Sequence, residues 1–450
     1  MQRRDFLKRS LVGLGGASSL WATTSQFNLV NAATSANSFT DYKALVCVFL
    51  LGGNDSLNML IPTDQRAYDQ YAATRQNLAV ARNVALPINV TNTQYSSVGL
   101  HPSLAALHTI YEQGNMALVA NVGPMIEPAS KADILTGRVM LPPQLFSHSD
   151  QQNHWQTAHP QQAALTGWAG RMADMLSDGT EPLSMNLSMA GNNLWQTGSQ
   201  VLPFALSSQG AEILEGINPD EEWQRPNAAF LDRIHASTEG MFASQFAAMV
   251  DRTRTTGGLV NSALALGPEL STAFPATRFA EQMRLVANMI SVQQHLNQSR
   301  QIYFVAMGGW DTHDNQLADH PTLLSELANG MAAFYNATAE LGVSEQVTAF
   351  TASDFGRTLT SNGDGTDHGW GGNHLVLGGA VQGADIYGQL PQMSLGSDDD
   401  LGDGRIIPTL SVDQYAATLA QWFGLADNEL TEILPNLNNF NQHNLGFLAE

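Results

Sequence analysis

Four polar segments of the sequence contain residue types that bind metal ions or transfer protons, and each segment includes glycine. The segments are GGND, GGWDTHDNQ, SDFGR and GTDHGWGGNH. Carboxylates and imidazoles are ligands that divalent cations such as zinc, manganese and calcium take from proteins, so a divalent metal is the predicted cofactor. The predicted metal ligands are Asp55, Asp311, His313, Asp354, Asp367, His368 and His374.

Ordinary turn chemistry is the alternative explanation for each of these segments. Asn-Asp after Gly-Gly is a common turn composition, and Asp311 could accept a hydrogen bond from a backbone amide two residues on, which would leave His313 incidental. A glycine-rich loop with a histidine at the start of a strand would account for the last segment. Three successive segments with Asp or His beside glycine nevertheless favour a site.

An arginine and two serines could supply the remaining chemistry. Arg357, three residues after Asp354, could neutralise an oxyanion with paired hydrogen bonds. The segment FSHSDQQNHWQTAHP has the simplest interpretation of a helix start, with Ser147 or Ser149 as N-cap and Asp150 in the first turn. The functional interpretation makes one serine the attacking oxygen at a helix N-terminus, where an anion is also stabilised. The two roles are compatible.

Buried strands separated by helices are predicted to position these segments. Continuous apolar runs, typical of strands covered on both faces of a parallel sheet, lie at residues 44–51, 116–122, 183–189, 302–307, 347–352 and 374–381. Apolar residues with helical spacing at 279–295 and 322–341 predict helices between them. The alternation predicts an α/β fold with a mostly parallel central sheet and helices on both faces. Ligands bind beyond the carboxyl ends of such strands, where the polar segments lie.

The amino terminus indicates export. Arg3 and Arg4 precede a modest stretch rich in Gly, Ala and Ser, and small residues follow, which is typical of a twin-arginine (Tat) signal with cleavage near Ala32 or Ala33. A short basic amphipathic helix is the alternative. The predicted organisation is a signal peptide at 1–32 and a domain at 33–450, with a mainly helical insertion or cap around 205–300. The predicted location is periplasmic or secreted.

Composition narrows the classes of partner and cofactor. The formal net charge is −21 at pH 7, and removal of the signal would make it more negative, so the protein is not expected to bind nucleic acid. No run approaches the roughly 20 apolar residues of a spanning helix, so no integral membrane segment is predicted. Cys47 is the single cysteine, which excludes a disulfide framework or a cysteine-ligated cluster, and its apolar neighbours predict a core role.

The order of the motifs resembles that of a known family. The Tat signal, FLLGGND, FSHSDQQNHW, GGWDTHDNQ, SDFGRT and GTDHGWGG together resemble an uncharacterised family of Tat-exported bacterial proteins grouped with the alkaline phosphatase and sulfatase superfamily. The resemblance covers nearly the whole mature chain and implies an alkaline-phosphatase-like α/β sandwich. It also implies metal ligands that match Asp55, Asp311 with His313, Asp354 and His368.

Two departures from the superfamily pattern bear on that ligand set. Only Thr312 separates Asp311 from His313, where the phosphatases have three residues. Phe355 stands where they have a histidine beside the aspartate, which argues against a complete two-zinc site. The sequence also lacks a sulfatase-type Cys-x-Pro-x-Arg segment, which argues against a formylglycine sulfatase.

The sequence and the resemblance together predict an exported, metal-dependent hydrolase of phosphate or sulfate esters, with a small-molecule or glycan ester as substrate. A single ion or an unusual pair would be held by the aspartates and histidines, Ser147 or Ser149 would attack, and Arg357 would steady the anion. One alternative is a catalytically silent relative that binds an extracytoplasmic glycan or protein. Another is a Tat-exported redox protein, for which the sequence contains no cofactor motif.

Overall fold

The computed structural model of the 450-residue chain describes residues 39–449, except 92–93, 178–181, 213–219, 224 and 237–240. The predicted export signal, residues 1–32, therefore lies outside the described residues. Among the residues that are described, no helix has both the length and the apolar composition that crossing a membrane requires.

Strands of the described residues form one large sheet and one small sheet. They are β1 Lys43–Leu50, β2 Leu60–Pro62, β3 Leu86–Ile88, β4 Val98–Leu100, β5 Met116–Gly123, β6 Asn186–Ser188, β7 Phe204–Ala205, β8 Arg300–Met307, β9 Val347–Ser353, β10 Gly372–Gly378, β11 Ile386–Tyr387 and β12 Leu410–Ser411. The large sheet has the order β11-β5-β10-β9-β1-β8-β6-β7, and β12 also pairs with β5. The small sheet has the order β2-β4-β3.

The large sheet is mostly parallel, as predicted, and β10 is its antiparallel member. β1 runs parallel to both β8 and β9, whereas β10 runs antiparallel to both β5 and β9. A parallel return needs a crossover that is usually helical, but residues 354–371, which join β9 to β10, contain no helix. The chain therefore turns back at the same edge of the sheet, and β10 starts where β9 ends.

Helices cover both faces of the sheet. Those of the described residues are α1 Gln65–Arg75, α2 Ala105–Glu112, α3 Lys131–Leu135, α4 His148–Thr157, α5 Trp168–Leu176, α6 Arg225–Ala236, α7 Met241–Leu264, α8 Arg278–Ser291, α9 Gln316–Glu340, α10 Val412–Phe423 and α11 Leu430–Ile433. Side chains of β1 alternate between two cores: Val46 and Val48 pack with residues of α8 and α9, and Cys47 and Phe49 pack with residues of α5 and α10.

Most predicted elements are confirmed, with shifted ends. The run at 183–189 forms only the three-residue strand β6, and the helix predicted at 322–341 begins earlier, at Gln316. The buried position predicted for Cys47 is also confirmed. The described part of 205–300 is mainly helical, since it contains α6, α7 and α8, but its status as a separate insertion or cap stays a prediction.

Candidate metal centre

Asp55, Asp311 and Asp354 lie at the same edge of the sheet, because each follows one of three neighbouring parallel strands that end side by side. Leu50 of β1 lies opposite Met307 of β8 and Ser353 of β9. The segments with Asp55, Asp311 and Asp354 begin within a few residues of those positions. The register of the sheet therefore places the predicted acidic residues at the same edge, although the residues around each one decide its role.

Asp311 lies at the centre of a group of histidines. Its Oδ1 lies 3.0 Å from His313 Nε2 and 3.3 Å from His368 Nε2, and its Oδ2 lies 3.3 Å from His148 Nε2. The Nε2 atoms of His313 and His368 are 2.8 Å apart. We refer to His148, Asp311, His313 and His368 as the Asp311 cluster.

The second ring nitrogen of each histidine contacts an oxygen atom that can only accept a hydrogen bond. These Nδ1 contacts are His148 with Asp354 Oδ2 at 2.7 Å, His313 with Asp367 Oδ1 at 3.3 Å, and His368 with the Phe146 carbonyl at 2.7 Å. A neutral imidazole has one N–H group, and a ring that carries its hydrogen on Nδ1 keeps this contact and leaves Nε2 as an acceptor that can bind a cation. In that tautomer, the Nε2 atoms of all three rings, which contact Asp311, are available as ligands.

This donor set fits a bound cation. Ligand atoms around a tetrahedral zinc ion, with bonds of 2.0–2.2 Å, lie about 3.3 Å apart, close to the contacts of 2.8–3.3 Å in the Asp311 cluster. One ligand atom from each of His148, Asp311 and His368 lies within 4.8 Å of the others. His313 is not part of that group of three but contacts it through Asp311 and His368. Imidazole nitrogens with a carboxylate suit zinc or a related transition metal, whereas calcium takes six to eight oxygen ligands. Among the three ions that the sequence left open, the types of donor atom therefore fit zinc better than manganese or calcium.

Local electrostatics favour the metal-binding protonation states at neutral pH. Burial raises the pKa of Asp311, but the hydrogen bond and charge of Arg357 are the largest opposing effects, and the pKa lies below its ordinary value. Burial lowers the pKa of His368 and is the largest effect on it, against the hydrogen bond to the Phe146 carbonyl and the charge of Asp311, which raise it. The carboxylate thus stays charged and the imidazole of His368 stays neutral.

Arg357 is buried and uses its guanidinium to hold the cluster together. Its Nη1 donates to Asp311 Oδ1 at 2.6 Å and to the Gly52 carbonyl at 3.2 Å. Its Nε donates to Thr366 Oγ1 at 3.0 Å, and its Nη2 donates to the Thr366 carbonyl. Most of its hydrogens are therefore committed to the protein, which supports a positioning role for Arg357 in place of the predicted contact with a substrate anion.

Asp354 supports the cluster from behind His148. Its side chain is fully buried, and its Oδ2 accepts hydrogen bonds from His148 and from Gln152 Nε2, the latter at 2.9 Å. A carboxylate behind a metal-binding histidine fixes its tautomer and raises its basicity. The contacts place Asp354 one step further from the cluster than its predicted role as a direct ligand.

Ser147 occupies the N-cap position of α4, next to His148 of the cluster. Its hydroxyl makes no capping bond to a backbone amide and instead donates to Asp150 Oδ2 at 2.6 Å. Ser149 is exposed, and its oxygen lies 3.5 Å from the same carboxylate atom. The preceding residue, Phe146, has a φ of 74°, an uncommon conformation for a residue with a side chain, and its carbonyl faces His368.

Two predicted ligands lie outside the Asp311 cluster. Asp55 forms an ion pair with Arg75, and both side chains are fully buried. The ring of His374, in β10, packs against Trp155 and Tyr415 and not against the Asp311 cluster, with centroid distances of 4.7 and 5.8 Å. Burial lowers the pKa of His374 to about 3, so it stays neutral in the core. Asp367, by contrast, contacts the cluster through His313.

The sequence analysis did not predict His148 or Gln152, although both lie in a segment that it examined for its serines. His148 is the first residue of α4, and Gln152 follows one turn later. Residues four positions apart lie on one face of a helix, and both side chains reach Asp354. The His-x-x-x-Gln spacing was therefore the available signal.

Comparisons with known proteins identify a family and a set of distant structural similarities. A family described as "Protein of unknown function (DUF1501)" matches residues 42–434. A search of curated proteins found no match.

Among solved structures, PsFucS1 sulfatase from Pseudoalteromonas sp. is 10% identical, with a TM-score of 0.36 and coverage of 94% of this chain and 76% of that chain. A mutant of the alkaline phosphatase PafA is 11% identical, with a TM-score of 0.25 and coverage of 72% and 64%. Similarity at this level carries no argument about activity.

Proposed function

Because this chain belongs to the DUF1501 family of proteins of unknown function, its activity must be argued from its site, and we propose that it is an exported, metal-dependent hydrolase of phosphate or sulfate esters. One observation carries the proposal. The Nε2 atoms of His313 and His368 face each other at 2.8 Å while both Nδ1 atoms face acceptors. A neutral ring that places its hydrogen between the two Nε2 atoms gives up its Nδ1 hydrogen bond, whereas a cation beside both Nε2 atoms keeps both Nδ1 hydrogen bonds.

A bound metal ion explains that contact better than an added proton does at neutral pH. Burial lowers the pKa of His368, which opposes protonation there. The Asp311 cluster would hold the ion, Arg357 would keep Asp311 charged and in place, and Asp354 would orient His148. When bound, a zinc or manganese ion supplies Lewis acidity that polarises an ester oxygen and stabilises developing negative charge.

Ser147 is the better placed of the two predicted nucleophiles. It lies between Phe146 and His148, both of which contact other parts of the site, and its hydroxyl donates to Asp150 at 2.6 Å. In the proposed reaction, Ser147 Oγ forms a bond to phosphorus or sulfur and its proton passes to Asp150. The ester oxygen leaves with that proton, and water then releases phosphate or sulfate from Ser147.

A direct experiment combines metal analysis with turnover. Protein comprising residues 33–450, purified without chelator, is expected to contain zinc or manganese and to hydrolyse 4-nitrophenyl phosphate or 4-nitrophenyl sulfate. Chelation should abolish turnover, and the metal should restore it. Ser147→Ala should lose activity and keep metal, while the matched variant Ser149→Ala should keep both. A protein that takes up neither metal would refute the proposal.

The contacts of Arg357 favour a second candidate, the catalytically silent binding module. Its Nη1 and Nε hydrogens are used by Asp311, Gly52 and Thr366, so the arginine offers little to a substrate anion. In that case the Asp311 cluster would bind metal for stability or to coordinate a glycan or protein partner. Metal binding without turnover of either ester would favour this function.

The proposed site of action is outside the cytoplasm, in the periplasm or the medium, on small-molecule or glycan esters. This part of the proposal rests on the twin arginines Arg3 and Arg4. Replacement of both by lysine should leave uncleaved precursor in the cytoplasm. Mature exported protein in that variant would contradict the proposed export route.

A further inference from the structure

Asp55 is engaged by a cation that belongs to the chain itself. Arg75, the last residue of α1, forms an ion pair with Asp55 Oδ2, and both side chains have no solvent exposure. Gln316 donates a hydrogen bond to the same oxygen. The resemblance stated above would make Asp55 a ligand of a metal ion, whereas the structure surrounds this oxygen with donors.

The remaining donors of Arg75 join two of the strand exits. Its Nε donates to Asn58 Oδ1 at 3.1 Å, in the segment that follows β1. Its Nη1 donates to the carbonyls of Thr358 and Leu359 at 2.9 and 3.3 Å, in the segment that follows β9. All three nitrogens therefore contact acceptors, so the guanidinium is fixed in orientation as well as in charge.

The side chain of Phe355 places an apolar ring between the turn that contains Asp55 and the histidines of the Asp311 cluster. Its ring centroid lies 4.9 Å from that of His148 and 4.5 Å from that of His368. A Cβ atom on Gly53 would lie 2.4 Å from the same ring, so the ring also packs directly on the GGND turn. An apolar ring thus contacts both regions at the position where the resemblance would place a second imidazole.

We propose that Arg75 is a built-in cation that replaces a second metal ion, so that the protein binds one ion, at the Asp311 cluster, and Asp55 is not a ligand. The inference rests on the proposed function, because it takes the Asp311 cluster as the metal site. It also gives Arg75 a positioning role, since the carbonyls that it holds follow Arg357 in the chain, and Arg357 holds Asp311.

The rival arrangement is specific. Asp55 Oδ1 is buried and has no hydrogen-bond partner among the described residues, so a second ion would have to use that atom. Such an ion would bring two positive charges to a carboxylate that Arg75 already neutralises, and like charges in close proximity oppose binding. The carboxylate is therefore satisfied electrostatically without metal.

Metal stoichiometry of the chelator-stripped mature protein tests the proposal, by zinc titration calorimetry and elemental analysis. The wild type is expected to bind one ion per chain, and Asp55→Asn is expected to bind one ion with affinity changed less than about threefold. The matched variant Asp311→Asn should bind zinc more weakly than the wild type by more than the roughly 10- to 100-fold that is typical when a residue one step from the metal is replaced. Two ions in the wild type, or an ion lost in Asp55→Asn, would overturn the proposal.

A pair of variants keeps the test decisive if removal of Arg75 prevents folding. Arg75→Met leaves a buried carboxylate unpaired, whereas Arg75→Met with Asp55→Asn removes both charges. The double variant should melt at a higher temperature than Arg75→Met and should still bind one ion. A double variant that melts no higher would refute the neutralising role of Arg75.

The outcomes for this inference and for the proposed function are distinguishable. One ion per chain without ester turnover would leave the inference intact and refute the hydrolase. Turnover with two ions per chain would do the reverse. A wild type that binds no ion would overturn both.

Discussion

Two turns with the same Gly-Gly-x-Asp pattern leave neighbouring strands of the sheet and form different environments. GGND follows β1 and ends in Asp55, and GGWD follows β8 and ends in Asp311. The turns touch, because a Cβ atom on Gly52 would lie 2.4 Å from the Asp311 backbone nitrogen. Asp55 is nevertheless fully buried with Arg75, whereas the side chain of Asp311 is 44% exposed and surrounded by three histidines and Arg357.

The comparison teaches that partners decide what a strand-end aspartate does. A buried carboxylate needs a permanent opposite charge, and Arg75 supplies one that cannot be exchanged. An accessible carboxylate among imidazoles can take a cation from solution and release it. We use the name Asp55 region for Asp55 and its partner Arg75 together with His320, which contacts Asn54, and His101, which packs on His320. We interpret this region as structural, and the Asp311 cluster as the part of this edge of the sheet for which a function is proposed.

The largest expected effect is on the stability of the Asp55 region. Arg75→Met should lower the free energy of unfolding of the metal-free protein by about 3–5 kcal/mol, because it leaves a buried charge unpaired. Arg357→Met should cost less, since water reaches the partly exposed carboxylate of Asp311. Denaturant unfolding of both variants measures the difference, and a larger loss in Arg357→Met would invert the comparison.

Metal-linked stabilisation should depend on the Asp311 cluster alone. Zinc at a hundredfold excess over its dissociation constant should stabilise the wild type by about 2.7 kcal/mol, because the ion binds only the folded state. His313→Ala should gain much less, and Asp55→Asn should gain as much as the wild type. Thermal melts with and without zinc check this. Equal shifts in the wild type and His313→Ala would return GGWDTHDNQ to an ordinary turn.

The two carboxylates behind the histidines form a matched pair for a finer test. Asp354 is fully buried behind His148, and Asp367 is 57% exposed behind His313. Asp354→Asn should weaken zinc binding by roughly 10- to 100-fold. Asp367→Asn should weaken it less than about fivefold, because exposed ion pairs contribute about 0–1 kcal/mol. Calorimetry should rank them in that order, and the reverse order would contradict the proposed roles.

The Asp55 region should respond to acid through its buried histidines. Burial lowers the pKa of His320 to about 4, against the opposing charge of Asp55, and burial lowers the pKa of His101 to about 4 in the same way. Below pH 6.5 each of these histidines binds a proton in the unfolded chain but stays neutral in the folded protein. The free energy of unfolding therefore decreases as the pH falls below 6.5.

For each of these two histidines, the free energy of unfolding should fall by about 1.4 kcal/mol for every unit by which the pH decreases from 6.5 to 4. His320→Gln should flatten the pH dependence by that slope in metal-free protein, whatever its effect at pH 7. Denaturant unfolding at several pH values gives the slope. An unchanged slope would show that His320 does not titrate as proposed.

The sheet was easier to predict from the sequence than the site, because a buried strand is indicated by a local run of apolar residues. The run ALVCVFLL is apolar throughout, and β1 is buried on both faces. His374 shows the limit, because the side of the sheet that a strand residue faces depends on a pairing register that its own sequence does not fix. The sequence analysis did not predict that β10 is antiparallel, because this direction follows from the absence of a helix between β9 and β10.

The partners of the aspartates were the least predictable feature because they come from remote parts of the chain. Arg75 reaches Thr358 across 283 residues, and His148 reaches Asp354 across 206. Nothing near Asp55 indicates a buried arginine, and nothing near Asp311 indicates a third histidine. Local motifs therefore indicated acidic residues at one edge of the sheet but did not indicate which of them would lie beside the histidines.

The contact between Phe146 and His368, which spans 222 residues, sets a limit on when the proposed metal site can form during synthesis. A ribosome that adds about 5–20 residues per second needs roughly 10 to 40 s to pass from one residue to the other. Until then the growing chain presents an incomplete set of imidazoles to the metals of the compartment. Metal selection should therefore take place on a nearly finished chain, in the compartment where the last strands join the sheet.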